Sequence, residues 1–195
     1  MNAKALPEKY YLTHFFELID NLDKLYRPVI EKPHLDFING FRALSEDAQC
    51  LYVRMVNRKG QVFSRKSFNK YQEVQFPSQA LEELEQQQFL STLNEENKLQ
   101  VLEFLNKSQT VKWLKECKIQ CKLSFSKEQL VAIAQKNILE LDLERLPDSS
   151  ELVCRSRCEE LEYLLFLFFG EIRLGLNLYT LRDLGIRKTN ESKKI

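Results

Sequence analysis

From Tyr10 to Tyr26 apolar side chains recur with the period of an α-helix, Tyr11, Leu12, Phe15, Phe16, Ile19, Leu22 and Tyr26 sharing one side. Pro28 pushes the residue before it out of helical conformation and ends the segment. A second helix is predicted over Pro33 to Ala43, with Leu35, Ile38 and Phe41 inward. Ser45 has the chemistry of an N-cap, and Glu46 and Asp47 complement the helix dipole behind it. The helix that follows presents Ala48, Leu51, Tyr52, Met55 and Val56 to a core. It carries Arg58 and Lys59 in its last turn and is closed by Gly60. Gln61 to Arg65 reads as a short strand and Ser67 to Glu73 as a short helix. Pro77 and Ser78 then open a helix with Ala80, Leu81 and Leu84 apolar, and Phe89 to Ser91 reads as a strand.

Helix, strand, short helix, helix, strand is the order of a winged helix-turn-helix domain. The helix in the recognition position carries Glu82, Glu83 and Glu85, and a negative helix does not enter a groove lined by phosphates. Any nucleic-acid contact by this unit falls to other surfaces.

Beyond Asn94, a cap for a helix with Leu99, Leu102 and Leu105 inward, the pattern is helical. A short helix from Gln109 to Cys117, a linker over Gln120 to Phe125, and a helix behind the capping box Ser126/Gln129 follow. With Lys112, Lys115, Lys118, Lys122 and Lys127 along them, these elements suggest a SAP-like module, a weak binder of duplex backbone; a plain helical spacer is the alternative. Pro147 to Ser150 is a turn. The next helix, with Leu161, Leu164, Leu165, Phe166, Leu167, Phe168 and Phe169, is apolar nearly all round and is expected to be buried on more than one side. Gly170 and Gly175 punctuate it; a short helix over Tyr179 to Ile186 and a frayed polar tail from Thr189 to Ile195 complete the chain. The class is mainly α: a winged helix-turn-helix-like unit over residues 1–91, a SAP-like helical unit over 92–146 and further helices over 147–195.

Charge changes this picture at one place. The chain as a whole carries +1, yet Cys50 to Tyr71 holds Arg54, Arg58, Lys59, Arg65, Lys66 and Lys70 without an acid, interleaved with Tyr52, Phe63, Phe68 and Tyr71. A local cation cluster on a balanced chain points to a polyanion, with a solvated face as the alternative. Cys117/Cys121 and Cys154/Cys158 are pairs spaced four apart, but lack the tight flanks of zinc knuckles, and the five cysteines read as reduced thiols in an intracellular protein. The N-terminus lacks a secretory core and the run Leu164 to Phe169 is too short to span a bilayer, so no membrane partner is expected. His14 and His34 have no catalytic context. Pro147-Asp148 with Glu191-Ser-Lys193 spells a nuclease signature only superficially, since buried helices separate its halves.

Three blocks share a resemblance: Lys9-Tyr-Tyr-Leu-Thr-His-Phe15, Leu51-Tyr-Val-Arg-Met-Val-Asn-Arg-Lys59, and Leu164-Leu-Phe-Leu-Phe-Phe-Gly170 with Leu181-Arg-Asp-Leu-Gly-Ile186. In that order they resemble the N-terminal part of Fanconi-associated nucleases, the VRR-NUC family. The resemblance implies winged-helix and SAP-like DNA-binding units, then the start of a TPR-like helical region. A C-terminal nuclease of the PD-(D/E)XK type, using Mg or Mn to cut 5′ flaps and unhook interstrand crosslinks, would follow in the parent protein. It also implies that Tyr11, Arg54, Lys59 and Tyr71 contact DNA, with Arg58, Arg65, Lys66 and Lys70 as neighbours of the same charge. The implied partners are branched double-stranded DNA and the protein's own nuclease domain, in the nucleoid or cytoplasm of a bacterium or the nucleus of a eukaryote. This chain alone lacks a catalytic site. The alternative function is a protein-interaction module that uses the winged-helix surface.

Overall fold

The computed structural model describes residues 9–170. The expectations for Gly175, the helix from Tyr179, the polar tail and Glu191 lie outside them. The described residues divide into two units, one of 9–59, 70–89 and 156–170, the other of 60–69 and 90–155. The units are thus interleaved in sequence, where the sequence placed boundaries near Ser91 and Leu146.

The first unit is helical. Its α1 (Tyr10–Tyr26), α2 (Lys32–Ala43), α3 (Glu46–Val56) and α4 (Pro77–Gln86) were all legible, and α8 (Cys158–Phe169) joins them. Phe15, Phe37, Phe41, Tyr52 and Phe89 are fully buried and pack ring against ring, Phe15 to Phe41 at 4.6 Å and Tyr52 to Phe89 at 5.1 Å. These rings remove large apolar areas from water, at roughly 25 cal/mol per Å², and they set the helices around one another. Ser45 caps α3 as expected, its Oγ accepting from Ala48 N at 3.3 Å.

Several expectations need correction here. Helix α3 stops at Val56, so Arg58 and Lys59 stand in the turn after it, which Gly60 completes at φ +83°. The segment after the strand is a 3-10 turn over Arg65–Phe68 and not a helix running to Glu73. Tyr26 is exposed, and so is Phe166 on α8, so that helix is not covered all round by the described residues.

In the second unit β1 (Val62–Ser64) and β2 (Leu90–Ser91) lie on either side of β3 (Leu152–Arg155), antiparallel to both, in the order β1-β3-β2. Val62 faces Cys154, and Ser91 faces the same residue from the other side. The expected strands exist, but they pair with β3 and not with each other. Between β2 and β3 the chain inserts α5 (Lys98–Phe104), α6 (Lys107–Glu116) and α7 (Lys127–Lys136). The Ser126/Gln129 capping box is present, with others at Asn94/Asn97 and Asn106/Gln109. Trp113 is the centre of this unit's core: it is fully buried and its indole N–H donates to Asp142 O at 2.8 Å. Leu99, expected inward, is exposed; Val101 and Leu102 take the inward positions on α5.

Candidate nucleic-acid interface

The basic stretch is shared between the two units. Arg54, Arg58, Lys59, Lys70 and Tyr71 belong to the first unit with Tyr11, whereas Arg65 and Lys66 belong to the second.

In the first unit Arg54 projects from α3 and is held by Tyr11, Tyr71 and Glu73. Its guanidinium lies 3.9 Å from the centre of the Tyr11 ring and 4.8 Å from that of Tyr71, so aromatic faces hold it by cation–π attraction. Its Nε donates to Glu73 Oε1 at 3.0 Å, and its Nη2 donates to the same oxygen. Tyr11 Oη donates to that oxygen too, at 2.9 Å. Glu73 is the deeper of the pair, its side chain 6% exposed against 28% for Arg54.

The ionisation equilibria agree with this geometry. Burial alone would raise the Glu73 carboxyl, but the donors from Arg54 and Tyr11 and a backbone hydrogen bond outweigh it and hold it below the usual range. Burial would lower Arg54, yet Glu73 and Tyr11 leave it raised. Tyr11 is pushed far up, first by burial and then by hydrogen bonds to Cys50 and Glu73. Both partners are therefore ionised near neutrality and Tyr11 is a phenol. Removing one member of such a pair strands the other, which costs about 3–5 kcal/mol when the pair is fully buried and less here because Arg54 is partly exposed.

Tyr71 is partly exposed. Its hydroxyl accepts from Arg58 Nη2, and the Arg58 guanidinium and the Lys70 ammonium lie 5.4 and 5.5 Å from its ring centre. Lys59 and Lys70 are exposed. The geometry thus separates the predicted site residues by depth. Tyr11, 3% exposed, has no face to offer a ligand, and its place is beneath Arg54. Arg54 is neutralised in situ by Glu73. Arg58, Lys59, Lys70 and Tyr71 form the outer layer. Glu73 was missed because it follows the acid-free stretch by two positions; it is the first carboxylate after it.

In the second unit Arg65 and Lys66 sit on the 3-10 turn, and Lys66 is 3.5 Å from Glu151. Of the lysines read as SAP-like, Lys112, Lys115, Lys118 and Lys122 are exposed. Lys127 is not available to a ligand: its ammonium donates to Leu102 O at 2.7 Å, Leu105 O at 2.5 Å and Thr110 Oγ1 at 2.7 Å. It closes the C-terminal carbonyls of α5, and burial lowers its pKa.

The acidic helix α4 also acquires a role. Glu83 accepts from Ser45 N at 2.8 Å and from Ser45 Oγ, so one of its three acids serves the start of α3. Among the described residues no group of three or more His, Cys, Asp or Glu side chains could hold a metal ion, and no helix is long and apolar enough to cross a membrane.

A helical unit with this element order, a basic turn and a three-stranded sheet defines a helix-turn-helix protein with a helical insertion. Residues 9–91 match the family described as FAN1, HTH domain. A curated relative, the Fanconi-associated nuclease 1 homolog of Pseudomonas aeruginosa strain PAO1, is 38% identical over 64 residues, 32% of this chain and 11% of the relative. The crystal structure of paFAN1 bound to 5′-flap DNA with a 2-nucleotide flap and a gap superposes with TM-score 0.78 at 26% identity, covering 98% of this chain and 35% of that one. The complex with a 1-nucleotide flap gives 0.75 at 26% identity, over 93% and 34%. The chain therefore spans about a third of the solved structures' length. Over residues 9–91 the chain is similar to the FAN1 helix-turn-helix domain, and it is similar in fold to part of the paFAN1 structures.

Proposed function

We propose that this chain is the DNA-binding, substrate-positioning region of a structure-specific nuclease, and that it holds branched duplex DNA by phosphate contacts. The observation that carries the reading is the outer layer of the first unit: Arg58 and Lys70 set against the partly exposed ring of Tyr71, with Lys59 exposed in the turn after α3. Cations in that setting neutralise phosphates and release counterions, whatever the sequence. An aromatic ring among them stacks on a sugar or a splayed base, which a junction offers and a plain duplex does not. Arg65 and Lys66, with the exposed lysines of the SAP-like helices, add contacts from the second unit. The acids of α4 leave no basis for reading bases in a major groove, which suits recognition of shape.

The solved relatives are bound to 5′-flap DNA, and that supports the same class of substrate for this chain. The parent would be a PD-(D/E)XK (VRR-NUC) enzyme of interstrand-crosslink repair, working inside the cell, with its nuclease domain as a further partner. Among the described residues no group of His, Cys, Asp or Glu side chains fits the Mg or Mn of such an enzyme.

The test is fluorescence anisotropy on a 5′-flap duplex and a plain duplex at rising salt. Weak binding that falls steeply with salt, with a modest preference for the flap, is expected. Absence of binding at low salt would support the protein-interaction reading instead.

A further inference from the structure

Glu73 is an acid set inside a basic surface, and its place there admits two roles with opposite signs. It could occupy Arg54 as a stand-in for phosphate and so weaken binding. It could instead hold Arg54 still, so that Arg54 holds Tyr71. Depth and saturation decide between them. The carboxylate lies beneath the guanidinium it binds, 6% exposed against 28%. Its Oε1 takes donors from Tyr11 Oη and from Arg54 Nε and Nη2, which saturates that oxygen. Freeing Arg54 for a phosphate would strand a buried carboxylate and a buried phenol at once, whereas one phosphate contact returns little in salt water.

We propose, resting on the DNA-binding reading above, that Glu73 is a positioning residue: through Arg54 it fixes the Tyr71 ring as the group that distinguishes a junction from a plain duplex. The guanidinium lies between the Tyr11 and Tyr71 rings, and Arg58 holds the Tyr71 hydroxyl. The ring is thus held by Arg54 and at its tip by Arg58, while Lys59 and Lys70, the latter 5.5 Å from the ring centre, are exposed and open to phosphates. Affinity and discrimination are carried by different residues.

The experiment measures binding of the full chain to a 5′-flap and to a plain duplex across a salt series, for the wild type and Glu73→Gln, with circular dichroism on each. Removing the negative charge would strengthen binding if Glu73 were a competitor. Positioning predicts the reverse: flap affinity falls roughly fivefold or more, the worth of one base–aromatic stack. Plain-duplex affinity and the salt slope stay as in the wild type. Arg54→Gln/Glu73→Gln, which removes both ions together and keeps hydrogen-bonding groups, must lose the same preference; it covers the case in which E73Q alone does not fold. Tighter binding to both substrates, or a flap preference that survives in either variant, overturns the inference alone. A wild type that binds neither substrate overturns the DNA-binding reading and the inference with it.

Discussion

Glu83 on α4 holds Ser45 by both of that residue's hydrogen-bond donors: the backbone N–H donates to Oε1 at 2.8 Å, and Oγ–H donates to Oε2. The same Oγ accepts from Ala48 N, so the cap of α3 is itself anchored by the next helix of the unit. An acid in the recognition position, unsuited to DNA, is here part of the scaffold that aims Arg54. Ser45→Ala should cost about 1–2 kcal/mol, the value of a helix cap with its partner. A thermal melt should show this as a drop of several degrees, roughly 2–4 °C per kcal/mol for a chain of this length, with the salt slope of DNA binding unchanged.

Lys127 gives a second test, in the other unit. Lys127→Met removes the donor to Leu102 O, Leu105 O and Thr110 Oγ1 and leaves these acceptors in a place where water replaces it poorly. Urea unfolding should show a loss of about 2–3 kcal/mol. If Lys127 were instead a DNA ligand, DNA affinity would fall and stability would hold.

How much of this was legible can be followed residue by residue. Helix α1 was read correctly to its ends because its apolar period is long, but Arg27 keeps helical angles (φ −47°, ψ −38°) and is not pushed out of them; Pro28 ends the helix by having no N–H to extend the ladder. Ser45 and the Ser126/Gln129 box were visible because capping is local chemistry. Strand β3 was not visible: Leu152–Arg155 is too short for a period, and its partners lie at 62–64 and 90–91. The cation cluster was plain, but its division into a half-buried, paired Arg54 and an exposed Lys59 was not. That division depends on Glu73, which meets Arg54 only after the chain has turned through β1 and the 3-10 segment. Lys127 shows the same limit, since a lysine that closes a helix end and one that faces solvent look alike in sequence.

Acid should weaken the first unit through Glu73 and Asp23. Glu73 is held below its ordinary value of 4.5 by the donors that outweigh its burial, and Asp23 below 3.8, chiefly by its hydrogen bond to Arg42. A depressed carboxylate contributes stability that is complete above its unfolded pKa and is lost as pH falls through the folded one. Unfolding free energy should therefore fall as the pH drops below about 5 and keep falling below the ordinary carboxylate range, and Glu73→Gln should fall less steeply. Equal slopes for the two proteins would show that Arg54 and Glu73 are not coupled.

Arg54→Lys keeps the charge but loses the planar group that stacks between Tyr11 and Tyr71 while sending two N–H groups to one oxygen. A loss of about 1–2 kcal/mol in stability is expected, with reduced flap preference. Arg54→Glu is predicted to damage the fold, since it sets a second carboxylate against buried Glu73. A binding defect in that variant would carry no information about phosphate contact.

The most direct measurement is the slope of log K against log salt for a 5′-flap duplex, in the wild type and in Lys59→Ala/Lys70→Ala. Both side chains are exposed and neither takes part in the Arg54–Glu73 pair, although Lys70 lies 5.5 Å from the Tyr71 ring centre, so circular dichroism should not change. If these lysines each neutralise a phosphate, the double variant binds more weakly and its slope is shallower by about 1.8, close to 0.9 per contact. A slope identical to the wild type's, or wild-type binding indifferent to salt, would contradict the phosphate grip.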